Sequence, residues 1–452
     1  LKEAQKILNA RQARDWADLT MEHLLRTKFE NGRTLIRAED GRYWQYNERY
    51  WEAVNDDYIK GELIQYARKY VAASNGATTV SCITTDVLNT LSGRVRRDDN
   101  PLHLQEVQAV INCLNGELWF DSNGNATLRP HRPESYLKYC LNVEYNPAAT
   151  APLFDKAVLE IFCGNQDMVQ HFMELAGYIC QPWRKLAIIV LLYGHGSNGK
   201  SSLMSIVQKI LGHKMIMSDR ISKMEDNPFK IGGLDGKLLL LDDDVDEGSC
   251  LEDGFLKKIS EEKLMTGQHK HKPLFQFLSR AVPVMLANNY PAIKDLSYGV
   301  QRRILIIPFK RQFRKDEIKP DLFDQIWAQE ASGILNRFVE GFQRLRQRGR
   351  FQEPEACVVA RTEWLRRANI LPTFVEECCE VGDGLVQALG AIYKAFREYC
   401  VENGIKYIPT QPTLGERLEK LGYAVTPLNG KKHVRGMQLK PRFSIPIDLR
   451  QE

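Results

Sequence analysis

The chain of 452 residues lacks several signatures, and each absence closes off a class of protein. It has no apolar run of membrane-spanning length. Its first residues, Leu-Lys-Glu-Ala-Gln, have no apolar core of the kind a secretory leader needs. They also lack an initiator Met, so the chain reads as a piece of a longer protein. Low-complexity tracts and internal repeats are missing. The ten cysteines are Cys82, Cys113, Cys140, Cys163, Cys180, Cys250, Cys357, Cys378, Cys379 and Cys400. None forms C-x-x-C, and the adjacent Cys378 and Cys379 are too close for a zinc knuckle. Scattered thiols without a framework imply a reducing cytosol, with cysteines in structural roles. Hydrophobic content of 43% and charged content of 26% fit an ordinary globular chain. A net charge of +5 is too small to indicate nucleic-acid binding by itself.

What is present is led by residues 194–201, Gly-His-Gly-Ser-Asn-Gly-Lys-Ser. Gly194, Gly199, Lys200 and Ser201 fill the fixed slots of the phosphate-loop pattern G-x-x-x-x-G-K-S/T. At ordinary glycine usage the bare pattern arises by chance in roughly one or two of every hundred chains this long. The context lowers that rate. Leu186 to Tyr193 is an apolar run that predicts a buried strand, and Leu203, Ile206, Val207, Ile210 and Leu211 recur at helical spacing up to Gly212. Glycines let backbone amides surround a polyphosphate, and the helix N-terminus adds partial positive charge. Gly194, His195, Gly196, Ser197, Asn198, Gly199, Lys200, Ser201 and Ser202 are therefore the expected contacts to ATP. Lys200 would reach the β and γ phosphates, and Ser201 would ligate Mg2+.

Residues 1–150 mix helical and strand patterns, with an aromatic hairpin at Trp44 to Trp51 around Asn47-Glu48 and another at Asn115-Gly116. The aromatic cluster fits packing in a small sheet better than base stacking. Asn146 to Pro152 reads as a linker. A helical lead-in over 151–183 precedes the loop-bearing domain, which runs to about 345. Arg344, Arg346, Arg348 and Arg350 read as a solvated helix face at the start of a helical linker over 346–371. Residues 372–452 form a small module in which two helices precede a two-stranded ribbon, the pattern of a winged helix. Lys431, Lys432, His433 and Arg435 fall on its wing, where they would either touch phosphates or be solvated.

Downstream of the loop, Leu238 to Leu241 predict a strand ending in Asp242-Asp243-Asp244. We assign Asp242 to Mg2+ and Asp243 to the attacking water, with Asp244 as a one-residue alternative. A calcium loop built on Asp242, Asp244 and Asp246 fails because Glu247 stands where that loop requires Gly. Val282 to Leu286 predict a third strand, with Asn288 at its tip either to sense the γ phosphate or orient water, or as part of an ordinary Asn-Asn-Tyr-Pro turn. Arg302-Arg303 precede the apolar strand Ile304 to Phe309. Between the acids and the third strand, Lys270, His271 and Lys272 sit on the tip of a predicted hairpin. That tip would either grip a phosphate backbone or be a solvated turn.

The order of Gly194–Ser201, Asp242-Asp243, Lys270-His271, Asn288 and Arg303 within about 110 residues resembles a superfamily 3 DNA helicase, a compact AAA+ motor. More closely it resembles phage and plasmid primase-helicases related to the poxvirus primase-helicase. The Gly-Ser-Asn-Gly-Lys-Ser loop, Asn288 followed by Pro291, and Arg-Arg before an Ile-Pro-Phe strand are similar to that group. Asn115-Gly116 and His131-Arg132-Pro133 resemble its N-terminal helicase-associated domain. The resemblance implies an α/β fold, with an AAA+ P-loop ATPase core between a mixed α+β N-terminal oligomerisation domain and a C-terminal winged helix. It also implies a homo-oligomer, a hexameric ring with ATP at subunit interfaces. Arg303 would be the arginine finger in trans, with Arg302 as its backup, and movement would run 3′ to 5′ on single-stranded and forked DNA in the host cytosol. Lys270, His271, Lys272, Lys431, Lys432 and Arg435 become the expected DNA contacts, and a primase or polymerase the further partner. Ala287 departs from the Thr or Ser common in the family. No stretch before residue 150 reads as a primase. An origin-binding initiator without processive unwinding, a regulatory or defence ATPase, and a motor on RNA or in DNA packaging stand as alternatives.

Overall fold

The computed structural model describes residues 17–73, 79–97, 99–104, 106, 108–245, 250–294, 297–368, 370–403, 408–428 and 430–441. Asp246 and Glu247, on which the calcium-loop comparison turned, lie outside the described residues.

The described residues start with a helix over residues 17–28 (α1) and an antiparallel sheet of β1 (Leu35–Arg37), β2 (Tyr43–Tyr46) and β3 (Trp51–Val54). The β2–β3 turn closes because Asn47 Oδ1 accepts from the backbone N–H groups of Arg49 and Tyr50. Trp44 and Trp51 are buried, so this aromatic hairpin packs a core. Helices α2 (Asp56–Ala73) and α3 (Val80–Arg94) follow, then a second antiparallel sheet of β4 (Val110–Cys113), β5 (Gly116–Phe120) and β6 (Ala126–Arg129).

After α4 (Pro152–Ile161) and α5 (Gln166–Ile179), the chain builds the main sheet. Its elements are β7 (Ile189–Tyr193), α6 (Lys200–Leu211), β8 (Ile216–Ser218), α7 (Pro228–Gly232), β9 (Leu239–Asp242), β10 (Cys250–Glu252) and α8 (Asp253–Ile259). Then come β11 (Leu264–Gln268), β12 (Leu274–Leu278), β13 (Val282–Ala287), β14 (Ala292–Lys294), α9 (Tyr298–Gln301) and β15 (Ile304–Pro308). Five of these strands lie in the order β15-β7-β13-β9-β8, and every neighbour pair is parallel. The fold is thus mixed α/β with a parallel sheet. Val190, Leu192, Leu239, Leu241 and Val284 join one core, while Ile189, Leu191, Leu240 and Met285 join the other. Burial on both faces is why these strands read as unbroken apolar runs.

Two long helices close the sheet, α10 (Leu322–Arg348) and α11 (Glu355–Ala368). Val110, Ile111 and Leu118 share one continuous core with α4, α5, α10 and the main sheet, so packing does not part near residue 150. The linker expected at Asn146–Pro152 is pinned, because Asn336 Nδ2 donates to the carbonyls of Asn146 and Ala149 at 2.8 and 2.9 Å. The arginines of α10 are not simply solvated. Arg344 and Arg348 pair with the buried Glu174 of α5, and Arg346 lies 4.3 Å over the Trp183 ring. Helix α11 is packed too, with Ala360 and Trp364 buried in the second core.

A last unit has its own core. Its order is α12 (Ile370–Cys378), β16 (Cys379–Ala388), α13 (Leu389–Glu402), α14 (Gln411–Lys420), β17 (Val425–Leu428) and β18 (Lys431–Leu439), with strand order β16-β18-β17. The ribbon expected from the sequence therefore has a third strand. A register shift between Val381 and Val386 breaks the alternation of β16, which hid it. Among the described residues, no helix is long and apolar enough to cross a membrane.

Candidate functional site

The carboxyl ends of β7, β13 and β9 meet at one edge of the sheet, the position at which open parallel sheets hold ligands. The chain leaves β7 at Tyr193, runs through the glycine loop and enters α6 at Lys200. The loop's shape needs its glycines. Gly199 sits at φ +84°, and a Cβ there would lie 2.6 Å from Ile161, while a Cβ on Gly194 would lie 2.6 Å from the Phe309 carbonyl oxygen. Ser197, at φ +44°, is held by the backbone N–H of Phe313, which donates to its carbonyl at 2.7 Å.

Lys200 is buried, and its ammonium donates to Gly194 O at 2.6 Å, Ala287 O at 3.2 Å and Asn288 Oδ1 at 3.0 Å. Burial pushes its pKa down from the ordinary lysine value. Asn198 is also buried, with its Oδ1 accepting from the Lys200 N–H at 3.3 Å. Residues 196–202 line a cavity of about 470 Å³ together with Asp243, Asp244, Val245, Leu286, Asn288 and Asn289. Ser201, Asp243, Asp244 and Asn288 are exposed. His195 is exposed outside that cavity, with its Nε2 3.2 Å from the Tyr193 hydroxyl.

Asp242 stands elsewhere. Strand alternation turns it to the face opposite Leu241. It is 4% exposed, and its Oδ2 accepts from the Ile221 N–H at 2.9 Å. Burial, with Asp243 adding repulsion, raises its pKa. The carboxylates on the cavity wall are those of Asp243 and Asp244, one residue beyond the metal assignment made from the sequence. An ammonium, a rim of backbone amides, hydroxyls and two exposed carboxylates form a surface suited to an anion accompanied by a divalent cation.

The two arginines also separate. Arg303 is buried, donating to Gly299 O at 2.6 Å and pairing with Glu261. Arg302 is exposed and has no side-chain partner among the described residues. Both lie at the amino end of β15, the far end of the sheet from the glycine loop. The β11–β12 hairpin forms as expected, with Lys270 and His271 exposed at its tip. Lys272 is instead paired with Asp56 of α2 at 3.1 Å. In the last unit, Lys431, Lys432 and Arg435 are exposed on β18, and Arg435 Nε donates to Thr426 Oγ1 at 3.0 Å. Asp56 and Glu261 carry no mark of these roles in the sequence, because an acid's partner across the fold leaves no local pattern.

Residues 22–163 match the family model described as D5 N terminal like, and residues 192–303 match a family of unknown function, DUF5906. The first match runs across residue 150, as the shared core does. A protein of Acanthamoeba polyphaga mimivirus named "putative helicase" is 21% identical over 238 residues, 47% of this chain and 25% of that protein. The chain thus spans about a quarter of the length of this curated relative. Among solved structures, an apo form of the C-terminal region of NrS-1 aligns with a TM-score of 0.48 and 11% identity, covering 93% of this chain and 99% of that one. A second apo structure of that region gives 0.44 and 12%, covering 92% and 98%. The family-model and mimiviral matches support kinship with primase-helicase-type replication proteins.

Proposed function

We propose that the chain is the ATP-driven motor of a DNA helicase that replicates a phage, plasmid or integrated element. The observation that carries this reading is the meeting of Lys200 with Asn288 under the glycine loop, beside Asp243 and Asp244, at the carboxyl edge of a parallel sheet. In this reading the core is a P-loop ATPase of the AAA+ type. The amides of residues 196–202 hold the phosphates, and Lys200 leaves its carbonyl partners to pair with the β and γ oxygens. Mg2+ would be held by Ser201 with Asp243, and it supplies charge neutralisation on the phosphates. Asp244 and Asn288 would orient the attacking water. Asp242 holds the turn at Ile221 and takes no part in the chemistry.

Arg302, rather than Arg303, is the candidate finger. The strand between it and the loop is on the order of 15 Å long, so it would act on the loop of a neighbouring copy in a ring. The α12–β18 unit is read as a winged helix, with Lys431, Lys432 and Arg435 toward DNA, and Lys270 and His271 as the channel-facing tip. Movement 3′ to 5′ on single-stranded and forked DNA follows from the family resemblance, with a primase or polymerase as working partner. Lys200→Ala is expected to abolish ATP hydrolysis, by at least about two orders of magnitude, together with strand displacement. A phosphate-release assay showing the wild-type rate in this variant would overturn the site.

A further inference from the structure

Asp56, the first residue of α2, bridges two parts of the molecule. Its Oδ1 accepts from the Arg37 guanidinium of β1 at 3.1 Å, and its Oδ2 accepts from the Lys272 ammonium of the hairpin tip at 3.1 Å. One carboxylate thus has each oxygen taken by a different cation, the way two cations take two oxygens of a phosphodiester. The Arg37 guanidinium and the backbone of Lys272 are held in place independently of Asp56. Arg37 lies 4.3 Å over the Tyr43 ring, and its backbone N–H donates to Val95 O at 3.0 Å. The tip turn is fixed by Lys272 N donating to His269 O and by Gln268 Nε2 donating to Lys272 O, at 3.0 and 3.1 Å. Pro273 packs so closely on the β1–β2 turn that a Cβ on Gly41 would lie 2.8 Å from it.

We infer that Arg37 and Lys272 form a site for a backbone phosphate of single-stranded DNA, held in this form by the Asp56 carboxylate, which the phosphate displaces. The inference rests on the DNA-motor reading above. Three features carry it further than a structural ion pair. Two cations share one acid, so the seam keeps a positive charge with Asp56 in place. The neighbouring acid, Asp57, is turned to Lys60 at 3.3 Å. All three side chains remain open to solvent, at 24% for Arg37, 28% for Lys272 and 41% for Asp56, so a strand can reach them and the tie is weak. Lys270 and His271 are exposed next to Lys272 and extend the path along the hairpin tip. Burial raises the Asp56 pKa, but the bonds from Lys272 and Arg37 outweigh it and hold the carboxyl below its usual range, so the acid is charged when it competes.

The test is fluorescence anisotropy of labelled oligothymidylate against the full chain over a salt series. Asp56→Asn is expected to bind about two- to fivefold tighter. Its plot of log affinity against log salt should be steeper by about 0.7, the increment for one more phosphate contact on a single strand. Arg37→Gln should weaken binding and flatten that plot by a similar amount, and the double variant should lose the gain of Asp56→Asn. Asp56→Asn with unchanged or weaker binding and an unchanged slope would mean the acid is only a structural tie. Should that variant melt early by circular dichroism, Arg37→Gln and Lys272→Gln decide. Wild-type affinity and slope in both overturns the site while leaving the DNA reading intact. A wild-type chain that does not bind the oligonucleotide overturns both.

Discussion

The acidic triplet is divided at the end of β9, whose last residue is Asp242. Asp242 is enclosed and bonded to a backbone amide, whereas Asp243 meets the cavity. Their amide variants should fail in different ways. Asp243→Asn is expected to keep wild-type melting and lose Mg2+-dependent ATP hydrolysis. Asp242→Asn leaves a buried group poorly matched to its partners and should cost about 1–3 kcal/mol of stability, with turnover per folded molecule retained. Parallel thermal melts and hydrolysis assays separate the two, and loss of turnover in stable Asp242→Asn protein would restore the metal role to that residue. The triplet was legible in the sequence as the acidic end of a strand, but its register was not. Three identical acids in a row carry no local mark of which one faces inward.

Helix α5 shows how far packing can override the polarity of a residue. His171 is 1% exposed at a position facing α10 and the Phe351 ring. Burial pushes its pKa down to about 4. The unfolded chain, titrating near 6.5, then binds a proton that the folded chain refuses. The stability from a neutral His171 is therefore complete above pH 6.5. It is lost as pH falls toward 4, by about 3 kcal/mol in all. His171→Gln should flatten the difference in urea midpoint between pH 7 and pH 4, and an unchanged pH slope would show that other groups set it. The same scale shows what periodicity reveals. Strands β7, β9, β13 and β15 and helix α6 were readable because continuous apolar runs and a 3.6-residue repeat reflect their burial directly. Short pieces such as β8, β10 and β14 were not, since three residues hold no period.

For the whole molecule, the sheet places Arg302 at its amino end and the glycine loop at its carboxyl end. A finger at that position can serve only another copy. Arg302→Ala should therefore keep nucleotide affinity and lose turnover by on the order of 10³. Mixing it with Lys200→Ala protein should restore part of the rate, because an intact loop then meets an intact arginine. No recovery on mixing, read by phosphate release, would exclude action between copies. The sequence by itself determined that a glycine loop joins a buried strand to a helix, that acids and an amide end the neighbouring strands, and that a small unit with its own helices and ribbon follows. Those features depend on local conformation and on burial periods a few residues long. Only the tertiary structure decided which acids face the cavity, which arginine is exposed, and that Asp56 occupies Lys272. It also showed that the core runs unbroken past residue 150. Each of these depends on side chains far apart in the chain competing for the same neighbours, and strand order and packing, not spacing, choose between them.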